Sequence, residues 1–206
     1  MSLAYATDGP SAPPRLRRAG NATAWTFPDM QGPLLVEVRR FGDPRGAFAE
    51  TYSRRDFAAL GIAEEFVQDN WSRSDPVGTL RGLHFQRPPH AQAKLVRVLR
   101  GAILDVAVDL RRSSPTYAQH VTVTLEEGDG RMLYVPAGFA HGFCTLRPGT
   151  EVAYKVDDCY APECDGGVAW DDPDIGIDWP VGQASVVLSE KDARLPRLAD
   201  LPRIFA

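Results

Sequence analysis

Apolar and polar residues alternate along much of this chain, as they do in strands that bury one face. In residues 102–110 every second position is a large aliphatic residue, namely Leu104, Val106, Val108 and Leu110. Asp105 and Asp109 lie on the opposite face of this predicted strand. The pattern therefore predicts that this face meets either solvent or a polar cavity.

Short runs of this kind recur along the chain, separated by Gly, Pro, Asp or Glu. Further strands are predicted at residues 32–38, 47–52, 66–71, 95–99, 120–125, 131–135, 142–146 and 151–156. Turn signals at roughly 8–12-residue spacing are typical of an all-β sandwich or barrel. One short helix is predicted at residues 54–61, because Phe57 and Leu60 are three apart and Gly61 provides a stop.

The two ends of the chain differ in composition. Residues 1–24 are rich in Ala, Pro, Gly and Arg without an apolar period, and they are predicted to form a disordered leader. Residues 25–206 are predicted to form one domain, since single all-β units commonly reach this size.

Charge and cysteine content exclude several classes of protein. The net charge is −4, which gives no reason to expect broad nucleic-acid binding. No apolar run suits a membrane span or a signal peptide. Three cysteines, Cys144, Cys159 and Cys164, argue against a disulfide framework. A reducing compartment, and hence a cytoplasmic location, is expected.

The strongest local motif runs from Gly130 to His141. A strand ends at Pro136, Gly138 permits a tight reversal, and His141 points back inward from the next strand. The spacing resembles the second signature of the cupin superfamily, whose members are small jelly-roll β-barrels. A buried structural histidine in a hairpin is the alternative interpretation of the motif taken alone.

The first cupin signature is present only in part. Gly78 and His84 have its spacing, but Gln86 replaces its second histidine and no glutamate follows at the expected step. A divalent transition metal needs three or more nitrogen, oxygen or sulfur ligands. His84 and His141 are too few, so no metal is expected. His84 is then available to act as a base.

Several longer motifs occur in the order typical of one family. They include FGDPRG (residues 41–46), FVQDN (66–70), LRGLHFQ (80–86), DVAVDLR (105–111), PAGFAHGF (136–143) and LSEKD (188–192). With these motifs the chain resembles the dTDP-4-dehydrorhamnose 3,5-epimerases over roughly residues 38–198. The resemblance implies an all-β, cupin-type jelly-roll fold with a few short helices.

The resemblance also implies an activity. The family removes the protons at C3 and C5 of dTDP-4-dehydro-6-deoxy-D-glucose, next to the C4 ketone, and returns them from the opposite face. The product is dTDP-4-dehydro-L-rhamnose, and no cofactor is required. Three alternatives stay open: an epimerase acting at C3 or C5 only, a metal-dependent cupin enzyme, and a non-catalytic binder of sugar nucleotides.

The family's catalytic roles fall on four residues of this chain. By motif position, His84 matches the base, Asp192 its carboxylate partner, and Tyr154 the acid on the far side of the sugar. Lys94 matches the cation near the developing enolate oxygen, although a lysine at a strand end can also extend its amine to solvent. The substrate-binding positions of the family fall on Phe41, Arg45, Glu50, Gln68, Asn70, Arg81, His141, Tyr160, Asp165 and Lys191.

Two of these binding residues are aromatic, and the site is expected to be shared between subunits. Phe41 and Tyr160 match positions near the thymine, although ordinary core packing is the alternative for both. The resemblance implies a homodimer in which the segments around Arg45 and Gln68–Asn70 come from the partner subunit. Two departures bear on affinity: Cys159 stands where an aromatic residue is frequent, and Asp165 where a glutamate is frequent.

Overall fold

The computed structural model describes residues 15–205 of the chain. These residues form fourteen strands, one α-helix and three short 3-10 helices. The strands are β1 (Leu16–Ala19), β2 (Ala22–Phe27), β3 (Met30–Val38), β4 (Arg40–Asp43), β5 (Gly46–Ala49), β6 (Gln68–Ser74), β7 (Leu80–Gln86), β8 (Lys94–Arg100), β9 (Ala102–Asp109), β10 (His120–Glu126), β11 (Arg131–Val135), β12 (Phe139–Thr145), β13 (Thr150–Val156) and β14 (Asp165–Gly167). The helix α1 spans Arg54–Leu60, and the 3-10 helices span Pro162–Cys164, Asp192–Arg194 and Leu198–Asp200.

Two antiparallel sheets make up the body of the fold. The larger has the strand order β1-β2-β3-β11-β8-β13-β6, and the smaller has the order β10-β9-β12-β7-β14. Their inner faces pack together through one apolar cluster, to which Val96 and Leu133 contribute from the larger sheet and Ile103, Leu125 and Phe139 from the smaller. The predicted all-β fold of the cupin type is confirmed.

The outer face of the larger sheet is covered in part by α1. Phe57 and Leu60 of the helix pack on Val36 and its neighbours. Ser53 caps the first turn, and Gly61 ends the helix with φ of 99°, a conformation that favours glycine. The predicted helix is therefore confirmed, together with its stop at Gly61.

The outer face of the smaller sheet is covered by the segment that follows β14. Trp170, Ile175, Trp179 and Phe205 pack on this face with Val106. The same segment brings the 3-10 helix Asp192–Arg194 against β7. The apolar side chains of this segment pack on the smaller sheet and hold the segment in place.

The prediction of a disordered leader through residue 24 was wrong for its last part. Leu16–Ala19 and Ala22–Phe27 are strands that extend the larger sheet beyond β3. The signal was weak because the buried positions of β2 include Ala22 and Ala24, whose small side chains leave little apolar contrast. Residues 1–14 lie outside the described part of the chain.

Two other expectations changed in detail. The predicted strand at residues 47–52 is shorter, and β5 pairs with β4 in an exposed two-stranded hairpin separate from both sheets. Asp105 and Asp109 face neither solvent nor open cavity, since both are fully buried. Within residues 15–205 no helix is long and apolar enough to cross a membrane.

Candidate active site

A cavity of about 170 Å³ is lined by residues of both sheets. The smaller sheet provides His84 and Gln86 from β7, and the larger sheet provides Lys94 from β8 and Tyr154 from β13. The full lining consists of Gln68, Asn70, His84, Phe85, Gln86, Gln92, Lys94, Tyr154, Tyr160, Asp165 and Lys191. All the predicted catalytic residues except Asp192 line this cavity, and Asp192 contacts it through His84.

His84 and Asp192 form a close pair. Nε2 of His84 lies 2.5 Å from Oδ1 of Asp192, which is buried in the 3-10 helix after Ser189. Burial alone would raise the pKa of the Asp192 carboxyl, but hydrogen bonds from His84, Ser189 and the Gly82 amide outweigh it and lower the pKa. Asp192 is thus ionised at neutral pH. A carboxylate in this position fixes the imidazole ring and favours its protonated form.

Lys94 is a buried cation beside this pair. Its side chain is 9% exposed, and Nζ donates to the main-chain oxygen of His84 at 3.3 Å. Burial lowers the pKa of Lys94 to about 8, opposed by the negative charges of Asp105 and Asp165. The ammonium group is therefore still mostly protonated at neutral pH. A cation held in a dry site can stabilise a developing oxyanion strongly.

Tyr154 approaches the cavity from the other sheet. It lies directly across from Asn70 in the β13–β6 pair and from Val96 in the β13–β8 pair. Burial raises the pKa of the Tyr154 hydroxyl, which the charge of Arg81 partly offsets. The hydroxyl thus stays protonated at neutral pH. An imidazole paired with a carboxylate on one sheet and a protonated phenol on the other therefore face the same cavity.

His141 is buried next to His84 and is paired with Asp105. His84 and His141 are cross-strand neighbours on β7 and β12. Nε2 of His141 is 2.7 Å from Oδ1 of Asp105, which is fully buried. Burial lowers the pKa of His141, with Asp105 opposing this effect and Lys94 and His84 adding to it. His141 is therefore neutral at pH 7.

Asp105 is a site residue to which sequence reasoning assigned no role. Its second oxygen, Oδ2, has no hydrogen-bond partner among residues 15–205. The signal was visible in the sequence, because an aspartate interrupts an apolar strand two residues before Ala107. Its partner was not, since His141 comes next to it only through the pairing of β9 with β12.

Gln86 occupies the place at which the cupin signature has a metal ligand. Its amide is engaged with the main chain: Nε2 donates to the oxygens of His90 and Cys159, and Oε1 accepts from the nitrogen of Ala161. Within the described residues, no group of three His, Cys, Asp or Glu side chains is placed to hold a metal ion. Gln86 thus holds the loops around the cavity through hydrogen bonds to their main chain.

Polar and aromatic residues surround the opening of the cavity. Asp165 and Lys191 form an ion pair there. Gln68 donates to Oδ1 of Asn70 at 2.9 Å and accepts from the nitrogen of Tyr160 at 3.1 Å. Tyr160 is 57% exposed, so its ring can receive a flat ligand. Core packing, the alternative interpretation of Tyr160, is therefore wrong.

The expected origin of Gln68 and Asn70 requires a correction. Both line the cavity of their own chain, because β6 pairs with β13 and places Asn70 opposite Tyr154. The resemblance had implied that a partner subunit supplies them. Strand pairing is a long-range property, and the local sequence FVQDN does not reveal it.

Five predicted binding residues lie outside the cavity lining. Arg81 points along the sheet, where Nε donates to Ser74 Oγ at 3.1 Å and Nη2 donates to the oxygen of Arg73. His141 is buried next to His84. Phe41 and Arg45 belong to the exposed β4–β5 hairpin, and Arg45 pairs with Asp43. Glu50, just beyond β5, is also exposed.

Comparisons with known proteins point to one family. The family model described as dTDP-4-dehydrorhamnose 3,5-epimerase matches residues 28–200. A dTDP-4-dehydrorhamnose 3,5-epimerase of Sinorhizobium fredii is 51% identical over 171 residues, which cover 83% of this chain and 87% of the relative.

Two solved structures show the range of related activities. A dTDP-6-deoxy-D-glucose-3,5-epimerase of Legionella pneumophila, in complex with dTDP-4-keto-L-rhamnose, is 44% identical with a TM-score of 0.79, covering 84% of this chain and 91% of that one. A 3'-monoepimerase of Streptomyces bikiniensis, in complex with dTDP-quinovose, is 32% identical with a TM-score of 0.75, covering 82% and 84%.

Proposed function

The chain belongs to the dTDP-4-dehydrorhamnose 3,5-epimerase family, and we propose that it inverts C3 and C5 of dTDP-4-dehydro-6-deoxy-D-glucose to give dTDP-4-dehydro-L-rhamnose. One observation carries the proposal. His84, paired with the buried Asp192, and Tyr154 face one cavity from two different sheets. Inversion next to a ketone needs a base on one face of the carbon and an acid on the other, which this arrangement supplies.

The proposed chemistry proceeds through an enolate. His84 removes the proton from the carbon next to the C4 ketone, and the electron pair of the broken C–H bond moves into the carbonyl to give an oxyanion at O4. The ammonium of Lys94 stabilises that charge. Tyr154 then donates its proton to the opposite face of the carbon and regains one from solvent. His84 releases its proton to solvent, and the same steps at the second carbon complete the double inversion.

The outer part of the site holds the nucleotide in this proposal. The exposed ring of Tyr160 stacks on thymine, and the cationic side chain of Lys191 lies within reach of the opening of the cavity. Asp165, which stands where a glutamate is frequent in the family, forms an ion pair with Lys191. Its carboxylate therefore contacts a protein side chain. Gln68 and Asn70 contribute polar contacts from β6.

The remaining binding residues support a homodimer. Phe41, Arg45 and Glu50 lie on or beside a hairpin that belongs to neither sheet and lines no part of its own chain's cavity. The hairpin exposes Phe41 to 39% and Phe48 to 68%, and apolar surface of this kind is typical of an interaction site. We propose that it completes the cavity of a second copy of the chain.

An epimerase acting at one carbon only is the second candidate, because the monoepimerase of Streptomyces bikiniensis has the same fold. Double inversion is favoured because relatives named as 3,5-epimerases reach 51% and 52% identity with this chain, against 32% for the monoepimerase. The test is NMR of the 4-keto sugar nucleotide in deuterated water. Deuterium at both C3 and C5 supports double inversion, deuterium at one carbon supports the second candidate, and none at either carbon refutes both.

The metal-dependent alternative is tested separately. Elemental analysis of the purified protein, followed by chelation and the same NMR assay, measures whether a metal is needed. Activity that persists after exhaustive chelation supports the proposal. Loss of activity together with a stoichiometric metal would overturn it.

A further inference from the structure

Gln86 is a buried side chain with all of its polar groups in use. It is 4% exposed and lies on β7, two residues after His84. Its nitrogen donates to the His90 oxygen at 2.7 Å and to the Cys159 oxygen at 3.2 Å, and its oxygen accepts from the Ala161 nitrogen at 2.7 Å. None of these partners is a catalytic group. The bonds join a central strand to two loops.

Two of the three hydrogen bonds hold the main chain on either side of Tyr160. Cys159 and Ala161 are its neighbours on either side, and the nitrogen of Tyr160 itself donates to Gln68 at 3.1 Å. Residues 157–161 belong to no strand or helix, so side chains rather than a regular ladder hold this segment. The main chain of three consecutive residues is therefore fixed by two glutamines.

The ring of Tyr160 depends on this support. It is 57% exposed and lacks the packing that would hold a core aromatic residue. A loop that is ordered before a ligand arrives loses less conformational freedom on binding, and affinity rises accordingly. Removal of a buried hydrogen-bond partner also leaves main-chain groups unsatisfied, which favours rearrangement of the loop.

We propose that Gln86 is a positioning residue for nucleotide binding, which holds the 159–161 main chain so that Tyr160 presents its ring to the nucleobase. This inference rests on the proposed function, since it takes thymidine diphosphate as the ligand of Tyr160. It assigns a use to the glutamine that stands at a cupin metal-ligand position. The residue serves the substrate's nucleotide rather than a metal or the reacting carbons.

The matched variants are Gln86→Met and Gln183→Leu. Methionine keeps the length and apolar volume of Gln86 but removes its amide. Gln183 has one exposed bond to Asp171 and provides the control. Calorimetric titration with dTDP, which requires no turnover, should give a Kd raised about tenfold for Gln86→Met and unchanged for Gln183→Leu. In steady-state assays KM should rise more than kcat falls, because the lost interaction acts on binding.

A double-mutant cycle with Tyr160→Ala tests whether Gln86 acts through Tyr160. In the Tyr160→Ala background, Gln86→Met should weaken dTDP binding by less than about twofold. Full additivity would overturn the inference, as would an unchanged Kd in the single variant. If Gln86→Met does not fold by circular dichroism, Gln86→Glu replaces it, since it removes the donor to His90 and Cys159. Failure of the wild type to bind dTDP would instead refute the proposed function.

Discussion

At the scale of single residues, the pKa of Lys94 makes the account testable. Burial lowers this pKa to about 8, while Asp105 and Asp165 oppose the shift and Lys191 adds to it. The proposed role needs the charged ammonium, which is lost as the pH rises through this value. We therefore expect kcat/KM, which reports the free enzyme, to fall on the alkaline side with an apparent pKa near 8, as measured by deuterium incorporation across a pH series.

The same pH series contains the contradicting outcome. A kcat/KM that stays constant to about two pH units above the Lys94 pKa would show that the reaction does not use its charge. Lys94→Met provides the matched comparison, because it keeps the length of the stem and removes the titrating group. This variant should lose most of the exchange activity at every pH, without an alkaline decline of its own.

The four residues predicted to be catalytic show how far a sequence can identify a site at this scale. His84, Lys94, Tyr154 and Asp192 were identified from motif positions, and the structure brings them together although they are far apart in the chain. Asp105 was left without a role because its partner is supplied by strand pairing. The sequence motifs identify which residue types are present in the site. The buried neighbours that set the protonation of these residues are brought close only by the fold.

At the scale of elements, the antiparallel pairing of β7 with β12 places the two histidines side by side. A Cβ added at Gly142 would lie 2.8 Å from the oxygen of Arg81 and 3.0 Å from a methyl carbon of Leu83. The pairing of β7 with β12 also shifts register between His141 and Phe143. The absence of a side chain at Gly142 thus lets the strands approach beside His84.

Gly142→Ala should therefore disturb both stability and catalysis. We expect the free energy of unfolding to fall by about 1–3 kcal/mol, because the added methyl group overlaps main chain that cannot move aside. Urea unfolding measures this change, and the deuterium assay should show slower exchange. The control is Gly182→Ala, since a Cβ there meets nothing within 4 Å. Equal behaviour of the two variants would contradict the role of this close strand pairing.

The elements were predicted unevenly, for physical reasons. Strands with large apolar residues, such as β9 and β13, give strong alternation, and their predicted positions agree with the structure. The strands β1 and β2 were missed because Ala and Arg give little contrast between their faces. Amphipathic contrast, and not strand length, decided which elements the sequence revealed.

At the scale of the whole molecule, the open question is which subunit the β4–β5 hairpin serves. Arg45 lies on this hairpin with 90% of its side chain exposed. Strand pairing placed Gln68 and Asn70 in their own chain's cavity, which the sequence had not shown. The hairpin has no such pairing with either sheet, so its partner is a matter of assembly.

Mixed dimers of two impaired variants decide this question. In a dimer of one Arg45→Ala chain and one His84→Ala chain, a hairpin that reaches the partner gives one site with both residues intact. Co-expression with two affinity tags should therefore restore epimerase activity that neither parent shows. If Arg45 served its own chain, every site would lack one of the two residues and the mixed dimer would stay impaired.

The central claim is that base and acid act from opposite sheets, and Tyr154→Phe tests it most directly. The measurement is the ratio of deuterium exchange to inversion, followed by NMR on the 4-keto sugar nucleotide in deuterated water. Because His84 and Asp192 stay in place, we predict that exchange continues while inversion is lost, since the proton returns from the face it left. Equal loss of exchange and inversion would contradict the account.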